Sequence, residues 1–150
     1  MVGCSRYAGV TLHGTEPPKL RVVPDERSRV SSGSPFEPKI GFSRAIRVGE
    51  HVHVSGTGPI WDDGSFDDDV GAQARQCLEI IARALAGLGA CARDVVRTRI
   101  YLTDANDIDA VGAAHAEFFG EAAPAATALV VVGFLDPRWK VEIEADAIVD

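Results

Sequence analysis

Residues 140–147, "KVEIEADA", alternate strictly between charged and apolar side chains, and this pattern constrains the fold more tightly than any other segment. Successive side chains of a β-strand point to opposite faces, so the pattern predicts a strand with one buried and one charged face. The charged face can be solvated or can meet a second copy of the chain, and the sequence leaves both open. The predicted buried face comprises Val141, Ile143, Ala145, Ala147 and Val149.

Two stretches have the period of an amphipathic helix. The first covers residues 69–88, with a capping aspartate among residues 67–69 and "GLGA" at its end. Its apolar stripe consists of Val70, Ala74, Cys77, Ile81, Ala84, Leu85 and Leu88. The second covers residues 104–120, with Asp104 or Asn106 as its cap. Its predicted apolar face consists of Ile108, Val111, His115 and Phe118.

The remaining core segments read as strands. Two strands flank the "GE" at 49–50, and "APAATALVVV" (123–132) is predicted to be a buried strand. In "DVVRTRIYLTD" (94–104), alternation predicts one face made of Val96, Thr98, Ile100 and Leu102, and another made of Arg97, Arg99 and Tyr101. The resulting order, strand-strand-helix-strand-helix-strand-strand, predicts an α/β (α+β) sandwich with both helices on one face of a mixed sheet.

The N-terminal quarter differs in composition from the rest. Residues 1–39 are rich in Pro, Ser and charge and show no sustained period, so we predict an extended or partly disordered arm ahead of one domain at 40–150. A short strand near "KLRVV" (19–23) is one option within that arm.

Charge and cysteine content exclude several classes of protein. A net charge of −7 argues against nucleic acid and anionic membrane surfaces as partners. The three cysteines, at 4, 77 and 91, form no C-x-x-C pair, so no disulfide framework or zinc site is implied. Without an apolar run of about 18 residues or a signal peptide, we expect a cytoplasmic protein.

Five motifs in this order carry a resemblance to a known family: "GFSRAIRVGEHVHVSGTGPI", "DVVRTRIYLTD", "HAEFFG", "PAAT" and "VEIEADAIV". Together they resemble the YjgF/Rid family, the reactive intermediate deaminases, over residues 40–149. The resemblance implies a chorismate-mutase-like fold and a homotrimer whose helix-free faces line a central barrel, with clefts between subunits. It also implies cofactor-free hydrolysis of small enamines and imines, such as 2-iminopropanoate, to ketones and ammonia.

The family's site residues are only partly present. The glutamate that positions water corresponds to Glu142, and the Ser-Gly of the second strand to Ser55 and Gly56. The substrate-binding arginine is replaced by Ala126, as in an arginine-less "PAAT" branch of the family. An arginine–carboxylate contact is typically worth ~1.5–3 kcal/mol, which alanine cannot supply. The other replacements are Ala128 for a cysteine, Phe42 for a tyrosine and Gly112 for an asparagine.

Each candidate site residue has a structural alternative. Glu142 and Glu144 are either acid–base groups or members of an ion-pair ladder with Arg97 and Arg99. His115 is a candidate for proton transfer or a hydrogen-bonded core residue. Arg138 is either an anchor for a ligand carboxylate or a solvated cation in a turn, and Thr127 either holds water or is an ordinary strand residue. His51 and His53 could share a metal ion, but the sequence places no third ligand.

Two functions follow from these residues. The first is binding of a small enamine, imine or carbonyl metabolite in an intersubunit cleft, with hydrolysis at Glu142 and a proton for the leaving nitrogen. The second is a non-catalytic metabolite-binding trimer, which Ala126, Ala128, Phe42 and Gly112 favour. A ribonuclease activity, long attached to this family as a label, is disfavoured by the acidic charge.

Overall fold

The computed structural model describes residues 27–61, 63–65 and 67–149 and contains one six-stranded sheet. The order of the strands across the sheet is β1-β2-β3-β6-β4-β5. Only β4 and β5 pair in parallel, so the predicted mixed sheet is confirmed. The strands are β1 (Arg27–Val30), β2 (Ala45–Val48), β3 (His51–Thr57), β4 (Val95–Leu102), β5 (Ala125–Val130) and β6 (Val141–Ile148).

Two long helices, α2 (Val70–Gly87) and α3 (Ile108–Phe119), pack on each other and share a core with the sheet. The Asp69 carboxylate caps α2 by accepting a hydrogen bond from the Ala72 backbone N–H at 2.8 Å. The whole predicted apolar stripe of α2 is buried. Among the described helices, none is both long and apolar enough to span a bilayer.

The alternation along β6 is confirmed. Val141, Ile143, Ala145 and Ala147 are each at most 1% exposed, whereas Glu142 and Glu144 are half-buried on the opposite face. The sheet therefore has an apolar face under the helices and a polar face without them.

The predicted inward position of Val96 is wrong, because β4 begins with an irregularity in its pairing. The register against β6 shifts between Val95 and Arg97, which leaves Val95 buried and Val96 44% exposed. The alternation resumes at Thr98, whose side chain is fully buried. A bulge inserts one residue into a strand and turns the side chains before it to the other face.

The predicted apolar face of α3 is also only partly right. Val111 is buried, but Ile108 is 40% exposed at the first turn and Phe118 is only partly buried. The residues that join the core are Val111, Ala114 and Phe119, a stripe turned by about one residue from the prediction. A separate 3₁₀ turn over Ala105–Asp107 precedes α3, and Asp104 caps that turn by accepting the Asn106 N–H.

The strand predicted to be buried, β5, lies at the edge of the sheet, and most of its residues are exposed. Leu129 is 54% and Val130 is 59% exposed. Among the described residues β5 pairs with one strand only, β4. The apolar composition of β5 therefore does not mean that the described part of one chain buries this strand.

The described chain begins before the predicted domain start at residue 40. Strand β1 pairs with β2, Val30 packs against Gly87 of α2, and a short helix α1 (Phe36–Ile40) follows. The "KLRVV" segment and the rest of residues 1–26 lie outside the described residues. The boundary at residue 39 stays a prediction.

Candidate functional site

The Glu142 carboxylate packs against an irregular bend in β3. The register between β3 and β6 shifts between Val54 and Thr57, so the bend contains Ser55 and Gly56. A Cβ atom built on Gly56 would lie 2.3 Å from Oε1 of Glu142. Only glycine fits there while the carboxylate holds its place. Ser55 secures the bend from the other side, since its hydroxyl donates to the Ser43 carbonyl at 2.8 Å.

The environment of Glu142 favours the protonated acid more than water does. Burial raises the pKa of Glu142, and the nearby Glu144 raises it further, while Arg44 opposes the shift. Within the described ranges no side chain or backbone group forms a hydrogen bond with the carboxylate of Glu142. A carboxylate with a raised pKa, close to a bend of the main chain, is a candidate for proton exchange with a ligand.

Arg44 lies behind the bend. Its Nη1 donates to the Gly56 carbonyl at 3.1 Å and to the Thr57 hydroxyl at 2.6 Å. The Thr57 hydroxyl in turn donates to the Ser55 carbonyl at 2.7 Å. These bonds tie the guanidinium to the segment on which Glu142 packs.

Glu144 has the structural role that the sequence analysis offered as an alternative. Its carboxylate accepts a short hydrogen bond from the Tyr101 hydroxyl and lies 3.7 Å from Nη1 of Arg99. Arg99 also bonds Asp146 at 3.1 Å, and Asp146 lies 2.7 Å from Nδ1 of His53. Among the described residues the predicted ladder forms only in part, as the Glu144–Arg99 pair, with Asp146 and His53 added to it. Neither Glu142 nor the exposed Arg97 has an ion pair to a described residue.

The Ala126 position lies on the other face of the sheet from Glu142. Ala126 pairs with Thr98 of β4, whose side chain is buried under the helices, whereas Glu142 pairs with Tyr101 on the helix-free face. The Thr98 hydroxyl is 2.9 Å from Nε2 of His115. His115 and Ala126 are thus neighbours of Thr98, but neither belongs to the Glu142 side of one chain.

His115 is a hydrogen-bonded, half-buried residue. Its ring packs edge-on against Phe119, with 4.9 Å between the ring centroids. Burial lowers the pKa of His115. The neutral imidazole can accept the hydroxyl proton of Thr98 or donate to its oxygen.

The other predicted site residues are dispersed. Thr127 pairs with Arg99 on the helix-free face of β5, and partly buried Phe42 donates its backbone N–H to the Glu37 carbonyl at 3.1 Å. Arg138 is exposed, and both its Nε and its Nη2 bond the Asp136 carboxylate, at 3.0 and 2.6 Å. An arginine held this way is not preorganised as an anchor for a ligand carboxylate.

Gln73 is a buried polar residue that sequence reasoning missed. Its side-chain amide donates to the Asp67 and Arg138 carbonyls at 2.8 and 3.1 Å, and its oxygen accepts from the Lys140 N–H at 2.8 Å. These bonds fix the start of β6, two residues before Glu142. The sequence carries one signal of this role, because Gln73 interrupts the apolar side of an otherwise regular helix.

In the part of the chain that the structure describes, no group of three or more His, Cys, Asp or Glu side chains is arranged to hold a metal ion. His51 and His53 stack with 6.3 Å between their ring centroids.

A mixed sheet backed by two helices, with a half-buried carboxylate packed on a glycine bend, defines the class of small α/β protein to which the chain belongs. The family model described as Endoribonuclease L-PSP matches residues 33–149, and the chain belongs to this YjgF/Rid family. The family resemblance of the motifs is thereby confirmed.

Three similar proteins illustrate the relationship. The crystal structure of Rv2704 from Mycobacterium tuberculosis, a member of the YjgF/YER057c/UK114 family, is 46% identical, with a TM-score of 0.76 over 82% of this chain and 99% of that one. A 2-iminobutanoate/2-iminopropanoate deaminase of Salmonella typhimurium is 34% identical over 71% of this chain and 86% of its own. Escherichia coli TdcF with bound serine is 25% identical, with a TM-score of 0.70 over 81% and 94% of the two chains.

Proposed function

We propose that this protein binds a small imine or enamine metabolite beside Glu142 and hydrolyses it to a carbonyl compound and ammonia. The observation that carries the proposal is the Glu142 carboxylate itself. It is half-buried, packed on Gly56 and free of hydrogen bonds to the described residues, and its pKa is raised by burial. The deaminase name of the 34% identical Salmonella relative supports the reaction class.

The chemistry requires one water molecule and one group that exchanges protons. Glu142 accepts a proton as water adds to the imine carbon, which forms a C–O bond and places the imine electron pair on nitrogen. The nitrogen takes up that proton and then the proton of the new hydroxyl group, the C–N bond breaks as the C=O bond forms, and ammonia leaves with both hydrogens of the water. The water supplies the oxygen of the ketone, so no oxidant or cofactor is consumed.

We further propose that the ligand lies between two chains of a homotrimer with a chorismate-mutase-like fold. The exposed apolar edge of β5 and the charged helix-free face support an assembly of several copies. Ser55, Gly56 and Phe42 would line one side of the cleft. Thr127, His115 and the small residue Ala126 would come from the β5 side of another copy.

A second candidate function is binding without catalysis. Ala126 favours it, because no cation at this position can hold the carboxylate of a 2-imino acid. Arg138 is bound to Asp136 and Arg99 to Asp146, so neither is preorganised to replace it. A neutral ligand, or a carbonyl compound held without turnover, fits this arrangement.

Ammonia release separates the two functions. Neutral imines and 2-iminopropanoate are generated in the assay mixture, and the release of ammonia is measured with and without the protein. We expect accelerated release from at least one small imine. Binding of the matching carbonyl compounds in calorimetry without acceleration would favour the second function, and neither binding nor acceleration would contradict both.

A further inference from the structure

Arg44 occupies an unusual position for an arginine. Its Nε atom is buried and has no hydrogen-bond partner among the described residues. A buried donor left without a partner destabilises the folded state, so an arginine at this position needs a structural reason. Burial lowers the pKa of Arg44, and the carboxylates of Glu37 and Glu142 oppose this shift.

Glu37 is a buried anion in the segment before β2. It is only 6% exposed and accepts hydrogen bonds from Ser31 and Ser32, including the Ser32 N–H at 2.8 Å and hydroxyl at 2.7 Å. These hydrogen bonds lower the pKa of Glu37 and keep it ionised. A permanent negative charge on that side stabilises the guanidinium of Arg44.

On its other side Arg44 hydrogen-bonds the bend of β3 against which Glu142 packs. Nη1 donates to the Gly56 carbonyl and the Thr57 hydroxyl, and Gly56 packs against the Glu142 carboxylate. The guanidinium thus fixes the bend and places a positive charge behind the reactive acid. Lysine cannot reproduce the planar fork, although it keeps the charge.

We propose that Arg44 is a positioning residue for Glu142, which clamps the Ser55–Thr57 bend beneath the carboxylate. This inference rests on the proposed function of Glu142.

The pKa of Glu142 depends on the titratable and charged groups of the neighbouring elements. Arg44 lies behind the bend, Tyr101 pairs with Glu142 on β4, Glu144 follows on β6, and Cys77 comes from α2. Arg44 is the cation in this set, and it lowers the pKa of Glu142. Its removal therefore shifts the titration of Glu142 to higher pH.

The test is a carbon NMR titration of the Glu142 carboxyl group, assigned by its loss in Glu142→Gln. Arg44→Gln should move the midpoint upward, and Arg44→Lys should leave it near that of the wild type. Arg47→Gln is the matched control, because Arg47 lies in β2, three residues after Arg44, but bonds the Gly49 and Leu88 carbonyls instead. Thermal melts show which variants are folded.

Activity adds a second measurement. Arg44→Lys keeps the charge but misplaces the bend, so we expect imine hydrolysis to fall on the order of 10-fold with the pH profile unmoved. An Arg44→Gln midpoint equal to that of Arg47→Gln would overturn the inference. If Arg44→Gln does not fold, full activity in Arg44→Lys would overturn it instead. Absence of ammonia release by the wild type would overturn the proposed function alone, because the midpoints are measured without turnover.

Discussion

Ala126 and Glu142 lie on opposite faces of the same sheet, although the family resemblance assigns both to one site. Ala126 is in register with buried Thr98, and Glu142 is in register with Tyr101 on the polar face. A side chain at position 126 cannot reach the Glu142 of its own chain through the sheet. If the two positions serve one ligand, they must come from different copies.

Ala126→Arg should therefore gain activity only through a neighbouring chain. We expect slow turnover of 2-iminopropanoate by the wild type and a ~10- to 100-fold gain in Ala126→Arg, which corresponds to ~1.4–2.8 kcal/mol in the transition state. The double variant Ala126→Arg with Glu142→Gln should be inactive by itself. Co-expressed with wild-type chains, it should form mixed clefts that pair the new arginine with an intact Glu142. Mixed oligomers no more active than the wild type would contradict a shared cleft.

Gly56→Ala should remove activity while the protein stays folded. The added Cβ would lie 2.3 Å from Oε1 of Glu142, and the flexible end of that side chain can move away. A displacement of about 1 Å at a reacting group can cost ~100-fold in rate. Gly112→Ala is the control, because a Cβ there meets nothing within 4 Å and lies in α3, where alanine is favoured by ~0.5–1 kcal/mol. Equal rates for the two variants would show that the Gly56 contact does not hold Glu142.

The local elements of this fold were readable from the sequence because their signals are periodic. The strict alternation at 140–147 and the stripe from Val70 to Leu88 each report which side faces the core. The Asp69 cap is a local interaction and was also predictable. The bulge at Val96 has no periodic signature, since it is one extra residue inside a regular pattern.

The site was less predictable because it depends on contacts between distant segments. Nothing near Arg44 in the sequence indicates that its guanidinium bonds Gly56 and Thr57 on the adjacent strand β3. The apolar residues of "TALVVV" suggested burial, yet β5 lies at an edge that one chain leaves uncovered. An apolar composition indicates that burial of a segment is favourable. It does not indicate whether the same chain or another copy buries that segment.

His115 should make the protein less stable in mild acid. Burial lowers its pKa in the folded state, so the unfolded chain binds a proton first as the pH falls below ~6.5. This residue's contribution to stability is complete above that value and declines as the pH falls toward its folded-state pKa. Between pH 7.5 and pH 5.5, the free energy of unfolding measured with urea should decrease less for His115→Gln than for the wild type. For the exposed control His51→Gln, the free energy of unfolding should decrease as much as for the wild type. An equal decrease in the wild type and both variants would contradict the assignment of the acid sensitivity to His115.

The most direct test of the account is the rate of ammonia release by Glu142→Gln on the imine that the wild type hydrolyses fastest. Glutamine keeps the size of the side chain and removes its capacity to accept a proton, so we expect a loss of ~100-fold or more. Glu144→Gln is the matched control, because it changes the next carboxylate on the same face, whose partners are Tyr101 and Arg99. It should keep most of the activity. A Glu142→Gln protein as active as the wild type would show that Glu142 is not the proton acceptor.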